Sequence, residues 1–266
     1  MKLYDILKEL ATKPKALILA GAPGAGKSSI IGDILNNFNL KVLNIDDFYV
    51  PDLIKRGVSL DMKNSTPEER SEQAKAMQYA QKQYDASLNS AIENKENIVI
   101  DGTGASSRAT FNLNDKLKEA GYDTMMLYVY TSLEQSLERN EKRFEKSQGK
   151  DRSLPPAIVF RTWNSVTDNF STYFDKFGNN FVAVVNDPTP FTKKNVEDVI
   201  TKYLTPYTPK DTKPKTPEEQ AKSDLNKEKL NQQVANFMKQ DQVQKVIDNS
   251  VTKGEAQSKI KAFLSL

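Results

Sequence analysis

The sequence predicts an α/β fold: a mostly parallel five-stranded sheet with helices on both faces. Two observations predict it. Five short apolar runs alternate with segments of helical period, in the order αβαβαβαβαβα. Two of those runs, at residues 15–20 and 97–101, lead through glycine-containing loops into helices. Strands that alternate with helices return in the same direction through crossovers, so they lie parallel, are covered on both faces, and present ligand sites at their carboxyl ends.

In chain order, residues 3–10 read as a first helix, and KALILA at 15–20 as a buried strand. Ile30, Ile31, Ile34, Leu35 and Phe38 recur at helical spacing, and KVLNI at 41–45 returns to strand character. Residues 46–65 contain Pro51 and Gly57, which predicts surface loops or short helices. Thr66, Pro67 and Glu69 form a capping box with proline at the first helical position, opening a long helix to about residue 94. NIVIDGTG at 97–104 is a strand-to-loop junction, followed by a helix that Gly121 ends and a strand at 124–130. A helix over 133–143, a polar loop SQGKDRSLPP, helical residues 157–177, a strand at 181–186 and a helix at 195–204 complete the pattern.

From residue 205 the composition changes to Pro, Thr and Lys. The expected division is therefore a domain over 1–204 with a lid at about 139–156, a semi-rigid linker over 205–217 and a helical appendage over 218–266. In the appendage, Leu230, Val234, Phe237 and Met238 share one helical face, Val243, Val246 and Ile247 another, and Ile260, Phe263 and Leu264 close the chain. Such faces need a cover, either this protein's own core or a protein partner engaging residues 218–266.

Composition limits the chemistry. The 266 residues include no Cys and no His, which removes disulfides, thiolate nucleophiles, the commonest metal ligand and the usual neutral-pH base. Acid–base work falls to carboxylate, Lys or Tyr. No run approaches the roughly 18 apolar residues that cross a membrane, and residues 1–15 lack the apolar run of a secretory signal, so a cytoplasmic protein is expected. Net charge is +3, yet residues 205–266 hold 11 Lys against 8 Asp plus Glu. Subtracting these from 38 and 35 leaves 27 against 27 for residues 1–204. A neutral domain makes no strong case for long nucleic acid.

The most specific signal is GAPGAGKS at 21–28, which fills every fixed position of G-x-x-x-x-G-K-[ST]. Chance produces such a match in about one chain in a hundred of this length. It also follows an apolar strand and opens a helix, where backbone N–H groups and the helix N-terminus receive phosphate. Gly21, Ala22, Pro23, Gly24, Ala25, Gly26, Lys27, Ser28 and Ser29 are the candidate ATP-binding residues. Lys27 is expected at the β- and γ-phosphates and the Ser28 hydroxyl on Mg²⁺. The fold is thus a P-loop NTPase or kinase fold.

Without histidine, an acceptor hydroxyl needs a carboxylate at the end of a neighbouring strand, and NIDDFY at 44–49 offers Asp46 and Asp47. Asp can equally stand there for turn reasons. Asp101 closes the IVID strand as a candidate for Mg²⁺ or for the acceptor hydroxyl, with Thr103 two residues on and Arg108 as a further acceptor contact. Arg139 and Arg143 are four apart on one helix face, and Arg152 lies in the polar loop. Arginines delivered by a lid stabilise a phosphoryl group in transfer, although Glu138, Glu141 and Glu145 allow a salt-bridged surface helix instead.

At these residues the chain resembles zeta-toxin-like kinases and the kinase domain of phage polynucleotide kinase. NIDDFY is similar to the N-x-D-D-aromatic segment of the latter, which implies Asp46 as base; where both groups usually place an arginine three residues after the base, this chain has Tyr49. IVIDGTG resembles the strand-end acid-Gly-Thr of zeta toxins, which implies a substrate contact for Thr103. RNEKR at 139–143 has the R-x-x-x-R spacing of the polynucleotide kinase lid, which implies Arg143 as a lid arginine, and RSLPP is similar to the lid of both groups. The resemblance covers about residues 15–190. It implies γ-phosphate transfer from ATP to a small-molecule or nucleotide acceptor, either a sugar nucleotide or a polynucleotide 5′-hydroxyl. Two other readings stand beside it: an assembly protein that keeps the nucleotide fold and works through its tail, and an ATPase switch without an acceptor.

Overall fold

The computed structural model describes residues 13–35, 37–187, 216–218 and 242–265. The helices expected at 3–10 and 195–204, nearly all of the linker, and the face of Leu230, Val234, Phe237 and Met238 lie outside the described residues.

Five strands, β1 (Lys15–Ala20), β2 (Leu40–Leu43), β3 (Asn97–Asp101), β4 (Asp123–Tyr130) and β5 (Phe181–Val185), form one all-parallel sheet in the order β2-β3-β1-β4-β5. β1 is central and buried along its whole length, as its unbroken apolar run requires. Its one charged residue, Lys15, places its ammonium 2.8 Å from Asp123 on the neighbouring strand. Register pairs Leu19 with Asp101 and Ala20 with Tyr128. β3 and β1 therefore end within one residue of each other while β4 runs on two residues past the end of β1, and the loops that leave β1 and β3 meet.

One expectation is corrected. The carboxylate on the strand beside the P-loop is Asp101 on β3, whereas Asp46 follows β2, which pairs with β3 and lies two strands from β1. Sequence order does not carry sheet order: the chain passes over β3's position, forms β2, and returns through a long helix to fill the gap.

Alternate residues of each strand supply two cores. Ala16, Ile18, Ile98, Ile100, Met126 and Tyr128 face one side. There they meet α3 (Pro67–Glu93), α4 (Ser107–Glu119), α5 (Leu133–Lys146), α6 (Pro156–Asp168), α7 (Phe170–Phe177) and α8 (Gln242–Asp248). Leu17, Leu19, Val99, Leu127 and Val182 face the other side, covered by α1 (Lys27–Leu35) and α9 (Lys253–Ser265). The capping box at α3 is present, with Glu69 N–H donating to Thr66 Oγ1 at 3.2 Å and Thr66 N–H to Glu69 Oε2 at 2.8 Å. α2 (Asp46–Lys55) leans on α3 through a third apolar cluster of Tyr49, Leu53, Leu60, Ala76 and Ala80.

The helical stretch expected over 157–177 is two helices that meet at Asn169, whose side-chain amide donates to Gly104 and Ala105 carbonyls at 3.2 and 3.1 Å. Near the end of the chain, α8 buries Val243 and Val246 on one face of the sheet, and α9 buries Ala256, Ile260, Phe263 and Leu264 on the other. Between them Val251 bridges to Val184, its N–H donating to Ala183 O at 2.8 Å, so the chain straps the open edge of β5. Among the described residues no helix is long and apolar enough to cross a membrane.

Candidate active site

The loop after β1 is braced from outside. Gly21 N–H donates to Thr103 O at 2.9 Å, tying the loop to the one that follows β3. Three successive carbonyls then accept side-chain donors from elsewhere: Pro23 O from Ser136 Oγ at 2.5 Å, Gly24 O from Arg139 at 3.1 Å, and Ala25 O from Asn186 Nδ2 at 2.8 Å. A trans peptide points its N–H opposite its C=O, so holding the Pro23 and Ala25 carbonyls outward turns the Gly24 and Gly26 N–H groups inward. Together with the N-terminus of α1 they make an anion-binding concavity. Gly26 is required here: its φ is +84°, and a Cβ would stand 2.2 Å from Asn186 Nδ2.

Lys27 arches over this concavity, donating to Gly21 O at 3.1 Å. Burial holds its pKa below the ordinary lysine value of 10.5, offset in part by Asp101 and Asp46 and reinforced by Arg143. A bound phosphate would reverse that penalty. Ser28 is exposed at the same opening, while Ser29 turns its hydroxyl back to Gly26 O at 2.7 Å.

The P-loop forms one wall of a cleft of ≈ 890 Å³. Asp46, Asp101, Thr103, Arg143 and Arg152 all line it, as do Pro23, Gly24, Ala25, Gly26, Lys27 and Ser28. Asn44 joins the two acids: its amide donates to Asp101 Oδ2 at 3.0 Å, and its Oδ1 accepts from the Asp46 N–H at 2.9 Å. Asp46 Oδ2 holds Arg152 at 2.8 Å, and the buried Oδ1 has no hydrogen-bond partner. A carboxylate oxygen left so inside a cleft is costly and suits a donor hydroxyl that arrives from outside.

Asp47 starts the same helix but is exposed. Partial loss of water, then the Asp46 and Asp101 charges, push its pKa above the ordinary carboxylate value. Tyr49 is buried beneath Arg152, whose guanidinium lies 5.7 Å from the ring centre. Arg143 is ion-paired to Asp151 at 3.4 Å. Among the predicted residues, Gly21, Ala22 and Ser29 of the P-loop are outside the lining, and two arginines stand apart from the cleft. Arg139 lies behind the P-loop, bonded to Gly24 O and Asn186 O, and Arg108 is exposed on the first turn of α4, outside the lining.

Ser28 and Asp101 offer hard oxygen donors on one opening, a set that fits Mg²⁺, which is commonly held by one or two protein oxygens together with phosphates and water. The described residues contain no cluster of three or more acids that would form a cation cage by itself.

Sequence reasoning missed the braces Ser136 and Asn186 and the link Asn44. Ser136 stands three residues before Arg139, hence on the same helix face, and that spacing was the available signal. It also missed the share of the lining that comes from later helices: Gln81 and Tyr84 of α3, Thr110 of α4 and Ile158 and Thr162 of α6.

The family model described as zeta toxin matches residues 4–188. No curated protein matches the chain in sequence. Among solved structures, the chain is similar to the complex AvrRxo1-ORF1:AvrRxo1-ORF2 with ATP, at 16% identity over 98% of this chain and 83% of that one, with a TM-score of 0.52. It is also similar to a chain of the PezAT chromosomal toxin–antitoxin system of Streptococcus pneumoniae, at 16% identity over 88% and 94% of the two chains and a TM-score of 0.49. A third likeness is to the Pnkp1/Rnl/Hen1 RNA repair complex, at 17% identity over 81% and 85% and a TM-score of 0.45.

Proposed function

Since the chain belongs to the zeta toxin family and carries a braced P-loop, we propose that it is an ATP-dependent kinase that phosphorylates a hydroxyl group of a small-molecule or nucleotide acceptor. The observation that carries this reading is the buried, unpartnered Asp46 Oδ1 in the same cleft as Lys27. Bound ATP with Mg²⁺ supplies the phosphoryl group and neutralises charge on its oxygens.

The residues then divide the work. The inward N–H groups of the P-loop and Lys27 hold phosphate oxygens, and Ser28 and Asp101 are the protein's oxygens for the metal. Asp46 Oδ1 accepts the acceptor's proton, and Asn44 keeps Asp46 and Asp101 at fixed separation. Arg143 and Arg152 close over the phosphates from the lid, and Thr103 contacts the acceptor. Sugar nucleotides and polynucleotide 5′-hydroxyls are the acceptor classes that the resemblance implies, and both bring phosphates of their own.

Asp46→Asn keeps the shape and removes the base. It should lower transfer about 10²–10⁴-fold while ATP affinity, read by calorimetry, stays within a few-fold. Undiminished transfer by that variant would remove Asp46 from the mechanism. A protein partner is a separate proposal for the stretch 218–266; within it, residues 242–265 already use their apolar side chains on the sheet.

A further inference from the structure

The two arginines of the lid stand on different footings. The Arg143 side chain is 53% exposed and pairs with Asp151 at 3.4 Å. The Arg152 side chain is 21% exposed, and the backbone is fixed on both sides of it. Before it, the Asp151 N–H donates to Ser147 Oγ at 2.9 Å. After it, Ser153 is bonded to Leu60, Asp61 and Met62, and Leu154 exchanges two hydrogen bonds with the buried Asn140 amide at 3.1 and 3.0 Å. With the backbone held, the reach of Arg152 is decided by where its side chain rests.

It rests on Tyr49. The guanidinium carbon lies 5.7 Å from the ring centre, within the roughly 6 Å over which a cation is attracted to an aromatic face. Tyr49 follows Asp46 by three residues on α2, so the ring and the proposed base share one helix face. The ring cannot drift: it is 3% exposed and packed with Leu53, Leu60, Ala76 and Ala80. Burial, opposed in part by Arg152 and aided by Asp46, holds the phenol above its ordinary pKa of 10.0, so the ring meets the cation uncharged. Tyr49 does not line the cleft, and any part it plays there passes through Arg152.

A guanidinium over an aromatic face keeps its N–H donors in its own plane, directed past the ring. Among the described residues, the Arg152 side chain makes one hydrogen bond, from Nη2 to Asp46 Oδ2 at 2.8 Å, and the rest of the fork can meet a phosphate oxygen. That grip on Oδ2 leaves Oδ1 as the buried carboxylate oxygen without a partner. From this one seat Arg152 can hold the base and the phosphoryl group together.

We propose that Tyr49 is a positioning residue for phosphoryl transfer: its ring face is the seat that aims Arg152 at once toward Asp46 and toward the transferring phosphoryl group. This rests on the kinase reading. Loss of the seat lowers kcat and leaves ATP affinity to the P-loop and Lys27.

The test uses the full chain with Mg²⁺ and labelled ATP, with UDP-N-acetylglucosamine and a 5′-hydroxyl oligonucleotide as acceptors. Turnover is read as transfer, or as ATP hydrolysis where water alone accepts. Tyr49 is replaced by phenylalanine, which keeps the ring face, and by pentafluorophenylalanine, which keeps the ring's shape and reverses the sign of its face. Each replacement is made with and without Arg152→Ala. Tyr49→Phe should keep kcat within about two-fold of the unaltered chain, the scatter expected of an uncoupled change. The fluorinated ring should lower kcat about 3–30-fold relative to Tyr49→Phe, with ATP affinity by calorimetry unchanged, and should lower it no further once Arg152 is alanine. Equal kcat for the two rings, a loss that persists in full beside Arg152→Ala, or a loss in Tyr49→Phe as large as that of the fluorinated ring overturns the proposal. Neither transfer nor hydrolysis by the unaltered chain overturns the kinase reading itself.

Discussion

Burial of Lys27 has a measurable sign. Its folded pKa lies below 10.5, so between that lowered value and 10.5 the unfolded chain carries a proton that the folded chain lacks. Stability of the ligand-free protein should therefore rise with pH across that window, by the linkage between bound protons and folding. ATP affinity should run the other way: it needs the ammonium and should weaken as pH climbs through the lowered pKa, earlier than an ordinary lysine would allow. Lys27→Met should flatten both profiles, measured by urea titration and calorimetry between neutral and alkaline pH. A second residue-scale effect concerns the lid. Ser153 is fully buried, with its hydroxyl 3.0 Å from Asp61 Oδ1, its N–H on Leu60 O at 3.0 Å and its carbonyl taking the Met62 N–H at 3.2 Å. That bridge sets the backbone next to Arg152. Ser153→Ala should cost about 1 kcal/mol, and Ser153→Thr should recover the hydroxyl bond only where its methyl group fits.

Elements differ in how openly the sequence declared them. The strands at 15–20 and 97–101 and the capped start of α3 were legible because each rests on a local rule: an apolar run, or a Thr-Pro-x-Glu cap. The P-loop was legible for the same reason. The break between α6 and α7 was not, since it is made by Asn169 bonding to carbonyls some 64 residues earlier. Nor was the place of β2, which depends on strand pairing, nor the part of the cleft lining drawn from α3, α4 and α6, which only the fold brings together. The amphipathic faces near the chain's end were visible, but only packing tells what covers them. Ile260 is fully buried against the sheet, so Ile260→Ala should destabilise the protein by about 2–5 kcal/mol. A denaturation midpoint unchanged in that variant would mean that α9 contributes little to the fold.

At the scale of the molecule, the nucleotide site and the edge of the sheet share one piece of chain. Asn186 directly follows β5 and holds the Ala25 carbonyl, and β5 is itself held by Val251 between α8 and α9. Coupling of this kind is reciprocal: whatever steadies one end must be steadied by the other to the same degree. Saturating the P-loop with ATP should therefore slow hydrogen exchange of the Val251 amide, which lies well outside the cleft, and Asn186→Ala should abolish that slowing while leaving exchange in α3 unaltered. The strap across β5 thus acts as a remote reporter of occupancy: nucleotide bound at the P-loop should be detectable as reduced breathing of an amide near residue 250.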